Sequence, residues 1–311
     1  MPEDADPMRE TAANLRRSYP ELYAQSAFVG VECCLDEYEH RRAAFSADMG
    51  LSQAPQSPLQ QSLPLSMEPV LALALLATYG YVQRSNIARF NSHSVPDTKI
   101  WVQVGSVAAA LDAARACQPD ALVVQGNDAG GHGHASGVSI ISLIPEVCDV
   151  LHEHRMSQIP LIAAGGIVDG RGVAAAVMLG AAGVVLGTRF LAAEEKSLPG
   201  EYREAIINAV DGGVSTVRSR VFDEIWGSSP WPELYDGRSL RNATYADVAA
   251  GIPMQEVVRR FYLRLMERQD KEFDVKEAGS VWAGTGVGLV KQIEDVATII
   301  CQLRLEVQRF Y

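Results

Sequence analysis

The sequence predicts an α/β protein whose strands run parallel and are joined by helices, and three observations carry that prediction. Short apolar runs rich in β-branched residues recur at spacings of about 20 to 40 residues. Each is followed by a turn or capping residue and then by an apolar pattern of helical period. Four of the runs end on glycine, at Gly105, at Gly126, at Gly165-Gly166 and at Gly187. Strand–helix alternation of this kind folds as an α/β barrel or as an open doubly wound sheet. Both place their chemistry at the carboxyl ends of the strands.

Taken in order, residues 1–26 contain a helix pattern near Met8–Tyr19, and Ala27–Leu35 reads as the first strand. Cys33 and Cys34 read as packing residues rather than a redox pair. Leu51–Ser66 is rich in Gln, Pro and Ser and has no helical period, so it reads as a loop. The apolar run before Thr78 fits a buried strand or a short helix, and a strand over 70–77 is expected. A strand at 99–104 follows, with Ser106 as the cap of a helix that ends near Cys117. The strand 121–125 comes next, then a helix capped by Ser142 with Pro145 in its first turn. The strand 160–164 leads to a helix capped by Asp169, with Val173, Val177 and Met178 as its apolar face and Gly180 as its stop. The strand 183–187 closes the series. Residues 199–311 read as mostly helical, with helices near 200–210, 254–268 and 287–306. The last carries a stripe of Ile293, Val296, Ile300, Leu303 and Val307. The expected organisation is therefore an α/β unit over 1–198 and a helical segment over 199–311 packed beside it.

With 311 residues, 48% of them hydrophobic and 21% charged, the chain can bury a sizeable core. A net charge of −11, with scattered Lys and Arg, argues against nucleic-acid binding and for a small-molecule partner. Five cysteines without a CxxC pair suggest neither a disulfide framework nor a zinc site. No apolar signal core and no membrane-spanning run is legible, so the cytosol is the expected compartment.

The chemistry concentrates after the strand 121–125, in Gly126-Asn127-Asp128-Ala129-Gly130-Gly131-His132-Gly133-His134. Glycines let backbone N–H groups approach a ligand, and an acid and two imidazoles are left at a strand end. His132 is the candidate base, since an imidazole titrating near neutrality can take a proton from an activated carbon acid. His134 reads more simply as an exposed loop residue, and His152 and His154 as solvated or capping residues at a helix end. The repetition of glycines at 165–166 and 187–188 favours a phosphate held by backbone N–H groups. No G-x-G-x-x-G opens a helix, so a dinucleotide fingerprint is absent, and no histidine spacing suggests a metal.

Three stretches together resemble the nitronate monooxygenases, especially fungal ones. They are Gln125 to His132, Ala163 to Gly172, and Leu179 to Phe190. The likeness is continuous from about Lys99 to Ala193 and looser through Trp231-Pro232 and Trp282 to Leu289. It implies a TIM barrel that binds FMN without needing a nicotinamide. On that likeness Gln125, Gly130 and Gly131 contact the flavin, while Gly165, Gly166 and the turn Val185, Leu186, Gly187 and Thr188 hold its phosphate. His132 is the base, and Asp128 stands where the family usually has Glu. The implied reaction is oxidation of an alkyl nitronate by O₂: the nitronate gives an electron to FMN, oxygen captures the radicals, and carbon–nitrogen cleavage leaves a carbonyl compound and nitrite. The departure is at the beginning, where about six strands are legible and the family's two opening strands are not. A truncated gene product, pairing with another copy to form a homo-oligomer, and a degenerate homologue are the competing explanations. A flavin-dependent enoyl reductase and a non-enzymatic relic are the alternative functions.

Overall fold

The computed structural model describes residues 77–78, 101–196, 198, 200–225, 231–266 and 280–310. The expected helix near Met8–Tyr19, the strand over 27–34, the Cys33-Cys34 pair and the loop 51–66 lie outside them. So does the question of the opening strands. The strands are β1 (Ala77–Thr78), β2 (Trp101–Val104), β3 (Ala121–Gln125), β4 (Gly131–His134), β5 (Leu161–Ala164), β6 (Gly183–Val185), β7 (Thr216–Ser219) and β8 (Tyr235–Leu240). The helices are α1 (Val107–Cys117), α2 (Ile140–Glu153), α3 (Gly170–Met178), α4 (Thr188–Leu191), α5 (Gly200–Asn208), α6 (Gly212–Ser215), α7 (Val221–Glu224), α8 (Ala243–Ala249), α9 (Met254–Met266) and α10 (Val296–Val307).

Five strands form one parallel sheet in the order β1-β2-β3-β5-β6. A doubly wound sheet reverses its strand order at a switch point, whereas a barrel adds each strand beside the one before it. Here each strand lies beside its predecessor once β4 is set aside, so the winding is that of a barrel. Alternation along the strands explains the packing. Val102, Val104, Leu122, Val124, Leu161 and Ala163 all join the core under α1 and α2, where Leu143, Ile144 and Val147 meet them. Gln103, Val123, Gln125, Ile162 and Ala164 occupy the opposite face.

Local chemistry sets the helix ends. Ser106 caps α1 by accepting the Ala109 N–H at 3.2 Å, and Gln118, at φ 44°, ends it. Asp169 caps α3 by accepting the N–H groups of Arg171 and Gly172. Three expectations are corrected. Helix α2 starts at Ile140, before the Ser142 cap, which places Pro145 inside the helix. Burial decides this: Ile140 joins Leu143, Ile144 and Val147 in the core, and the later start would lose it from that face. On α3 the buried residues are Gly170, Ala174 and Ala176, while Val177 and Met178 are exposed. Helix α10 packs so closely that a Cβ on Gly170 would collide with Glu306, and only small residues fit beneath it. The stripe on α10 turns accordingly: Ile299 is buried, and Ile293 and Ile300 are exposed. Residues 285–289 form a 3₁₀ turn, and α10 begins only after Asp295, which accepts the Thr298 N–H.

The segment after residue 199 also carries two strands that its helical pattern hides. β7 and β8 pair antiparallel and add β4, giving a second sheet in the order β4-β8-β7. A second core binds this segment to the barrel side, with Val168 and Ala192 packed on Ile206, Val281, Ala283 and Val287. No described helix is long and apolar enough to cross a membrane.

The first core also yields a prediction. Cys117 is buried at the end of α1, its thiol donating to the Ala113 carbonyl, and burial pushes the thiol up to about 11. At pH 8 only about 10⁻³ of it is thiolate, the reactive form. Iodoacetamide should therefore alkylate the exposed Cys301 in native protein and reach Cys117 only after unfolding. Mass spectrometry of tryptic peptides reads the result.

Candidate active site

The loop after β3 is gripped from two sides. The Asp128 carbonyl accepts the Thr285 N–H at 2.9 Å, and its carboxylate accepts the Thr285 hydroxyl at 3.0 Å. The Asn127 carbonyl accepts from the Arg238 guanidinium at 3.1 Å. Gly130 lies directly on the 283–284 backbone, where an added Cβ would stand 2.5 Å from the Gly284 nitrogen. The loop 126–130 is thus wedged between the end of β5 and the 282–286 stretch.

Residues 131–134 leave this loop as a strand, since β8 supplies the backbone partners. The pleat then sorts the side chains. Gly131 and Gly133 sit on one face, and Gly133 backs onto the Gln125 amide and the Arg218 guanidinium. His132 and His134 sit on the other. Gln125 ties the two layers together, its Nε2 donating to the His132 carbonyl at 3.2 Å.

The His132 ring is held on three sides. Its Nε2 lies 2.9 and 3.1 Å from the two carboxylate oxygens of Asp223. Trp231 stacks on it with ring centroids 4.2 Å apart and an 11° interplanar angle, and Trp282 leans on it at 4.8 Å. Only 13% of the His132 side chain and 12% of the Asp223 side chain remain exposed. Asp223 stands on α7, which is anchored by Val221, Phe222 and Ile225 against Val257 and Phe261. Trp282 rests on Gly237, where any Cβ would run into the indole. Sequence reasoning missed Asp223 because it sits 91 residues from His132 in a four-residue helix with no motif. Trp231 and Trp282 stood in the stretches of looser family likeness, which carried no signal that they flank the histidine.

His134 is not the exposed loop residue expected. It packs edge-on against Tyr235, its Cβ crowds Gly105, and its Nδ1 is buried without a partner. Burial, aided by the Arg218 charge, holds its imidazole below the ordinary range, so it is neutral at physiological pH. His152 and His154 are exposed at the end of α2, bonded to Ser157 and to the Val150 carbonyl.

The glycine endings differ from one another. Gly165 and Gly166 have φ of +104° and +74°, a conformation that L side chains rarely adopt. The loop fills the space beside them, with the Gly126 carbonyl next to Gly165 and Asp128 next to Gly166. Gly187 and Gly131 instead face open space. Gly187 follows β6 and Leu186 and opens the short helix α4, whose Thr188 hydroxyl accepts the Gly284 N–H at 2.9 Å. Across the small sheet Arg218 stands directly opposite Arg238. Asp236 bonds Arg218, yet the Arg218 Nη1 is buried and unpartnered. Burial first, and Arg218 next, hold the Arg238 guanidinium below its usual range.

These features define a class: a TIM-barrel-like α/β protein whose strand ends carry glycines beneath a small antiparallel sheet that holds a clamped histidine. The description of the nitronate monooxygenase family matches residues 80–228. Nitronate monooxygenase npaC of Metarhizium robertsii is 42% identical over 218 residues, covering 67% of this chain and 58% of the relative. The nitronate monooxygenase of Neurospora crassa is 43% identical over 208 residues, covering 67% of this chain and 53% of the relative. Among solved structures, FabK from Thermotoga maritima aligns with a TM-score of 0.60 and 27% identity, over 89% of this chain and 82% of that one. The nitroalkane oxidase of Streptomyces ansochromogenes aligns with a TM-score of 0.61 and 23% identity, over 99% of this chain and 79% of that one, a likeness of fold. Over residues 80–228 the chain is similar to the nitronate monooxygenase family. It spans little more than half the length of these two fungal relatives.

Proposed function

We propose that the chain is an FMN-dependent oxidoreductase that converts alkyl nitronates and O₂ into a carbonyl compound and nitrite. The observation that carries this reading is the open glycine ending at Gly187, beside the left-handed Gly166 and at the same strand ends as the histidine loop. A phosphate fits there, because a glycine without a filled Cβ position lets backbone N–H groups close on an anion. Val185, Leu186, Gly187 and Thr188 would hold the phosphate with Gly166, and the Thr188 hydroxyl keeps its own proton to donate. Gln125 and Gly131 would border the ring system. Gly130 and Gly165 serve it through the packing of the loop that carries it.

When bound, FMN would supply the electron acceptor that nitronate oxidation requires and a site of reaction with O₂. The protein's own residues would bind and orient. The unpartnered Arg218 Nη1 and the opposed Arg238 favour an anionic ligand, and a nitronate is an anion. Per nitronate, one oxygen atom is added at carbon and the C–N bond breaks with nitrite leaving. For a neutral nitroalkane, His132 would first take the α-proton.

The test is the visible spectrum of the purified chain after incubation with excess FMN and desalting, followed by nitrite release from propionate 3-nitronate in air. Retained flavin and nitrite formation support the reading. A folded, colourless protein overturns it, and rapid flavin bleaching by NAD(P)H would favour the enoyl reductase alternative.

A further inference from the structure

We propose that Asp223 is a positioning residue for His132, fixing the hydrogen on Nε2 so that the ring handles a substrate's α-proton through Nδ1 alone. This rests on the reading of the site given above. An ionised carboxylate only accepts hydrogen bonds, and both Asp223 oxygens lie within reach of one ring nitrogen. That nitrogen must therefore carry the hydrogen in the neutral and the cationic ring alike, and the neutral ring has its lone pair on Nδ1. Asp223 is free for this role because the neighbouring Glu224 is taken up by Arg220. The indoles fix the plane of the ring, since Trp231 lies nearly parallel to it on one side and Trp282 leans on it. A flip within that plane would move Nε2 off the Asp223 carboxylate.

With a neutral nitroalkane the α-C–H bond breaks, its electron pair becomes the C=N bond of the nitronate, and the proton goes to Nδ1. The imidazolium so formed keeps its Nε2–H on the Asp223 carboxylate, and no oxidant is needed for this step. A nitronate supplied ready-made skips it. Asp223 should then matter for the first substrate and not for the second, a split that a merely structural residue would not produce.

The full chain is tested in two ways. Without flavin, ¹H–¹⁵N spectra of histidine-labelled protein should show a slowly exchanging His132 Nε2–H resonance downfield of the amides. It should vanish in Asp223→Leu, which has similar shape and no acceptor, and in Asp223→Ala. With FMN, turnover of nitroethane by either variant should fall by about 10²–10⁴ at saturation, with ethyl nitronate turnover within about threefold of the parent. Absence of the resonance in the parent chain, its persistence in a folded variant, or an equal loss on both substrates overturns the proposal. If the parent turns over neither substrate, the nitronate reading fails, and the resonance alone decides whether Asp223 positions the ring.

Discussion

Gly284→Ala is expected to destabilise the protein by about 3 kcal/mol, the upper end of what overpacking usually costs. The added Cβ would stand 2.5 Å from the Asp128 carbonyl oxygen and 2.9 Å from the Gly130 nitrogen. Both are backbone atoms, so no side chain can swing away to make room. Relief requires the 282–286 stretch to withdraw from the loop 126–130. That would break the Thr285 N–H bond to Asp128 and the Gly284 N–H bond to Thr188. Gly187→Ala is the control, because its Cβ would enter open space at a negative φ. Thermal melts followed by circular dichroism should put Gly284→Ala on the order of 6–12 °C below the parent, with the control near the parent. Equal melting of the two would mean that the 282–289 stretch does not seat the loop. Because Thr188 and the loop both lose a partner, Gly284→Ala should also retain less flavin.

That interface shows which part of the site was legible in the sequence. The glycines at 126, 130, 165, 166 and 187 announced close backbone approach, but not what approaches. Gly187 faces open space, while Gly130 faces another stretch of the same chain more than 150 residues away. Both look alike as letters. The parallel strands were readable because β-branched runs and helical periods repeat locally; their order was not, since the same alternation fits a barrel and a doubly wound sheet. Strands β7 and β8 were not, since Thr216–Ser219 and Tyr235–Leu240 are short, polar and half-exposed. Their strand character comes from pairing with β4 and each other. The partner of His132 was hidden for a related reason. An acid becomes a histidine's partner only through tertiary placement, here by a one-turn helix held on Phe222 and Ile225.

The structure also separates two layers of the site that the sequence presents as one motif. In Gly131-His132-Gly133-His134 the alternation of a strand sets Gly133 against Gln125 and Arg218, leaves Gly131 facing open space, and sends the imidazoles towards the indoles and Tyr235. The Gln125 bond to the His132 carbonyl couples the two layers. Movement of β4 would therefore shift the histidine and the floor of the ligand site together.

Gly187→Asp should leave the fold intact and abolish FMN retention. Gly187 has φ −101° and ψ −70°, and nothing lies within 4 Å of the position a Cβ would take, so an aspartate fits without strain. An open position of this kind should tolerate the change within about 0.5 kcal/mol. For a bound phosphate the same carboxylate is a like charge placed at its cradle. Such a juxtaposition costs several kcal/mol, and each 1.4 kcal/mol is a factor of ten in affinity, so Kd should rise at least about 100-fold. Fluorescence titration of FMN measures it, and a parallel melt confirms folding. If Gly187→Asp binds FMN as tightly as the parent, the phosphate does not sit at the end of β6, and the assignment of Val185 to Thr188 falls. Loss with Asp but retention with the equally extended, neutral Asn would place the effect on charge, as a phosphate at this position requires.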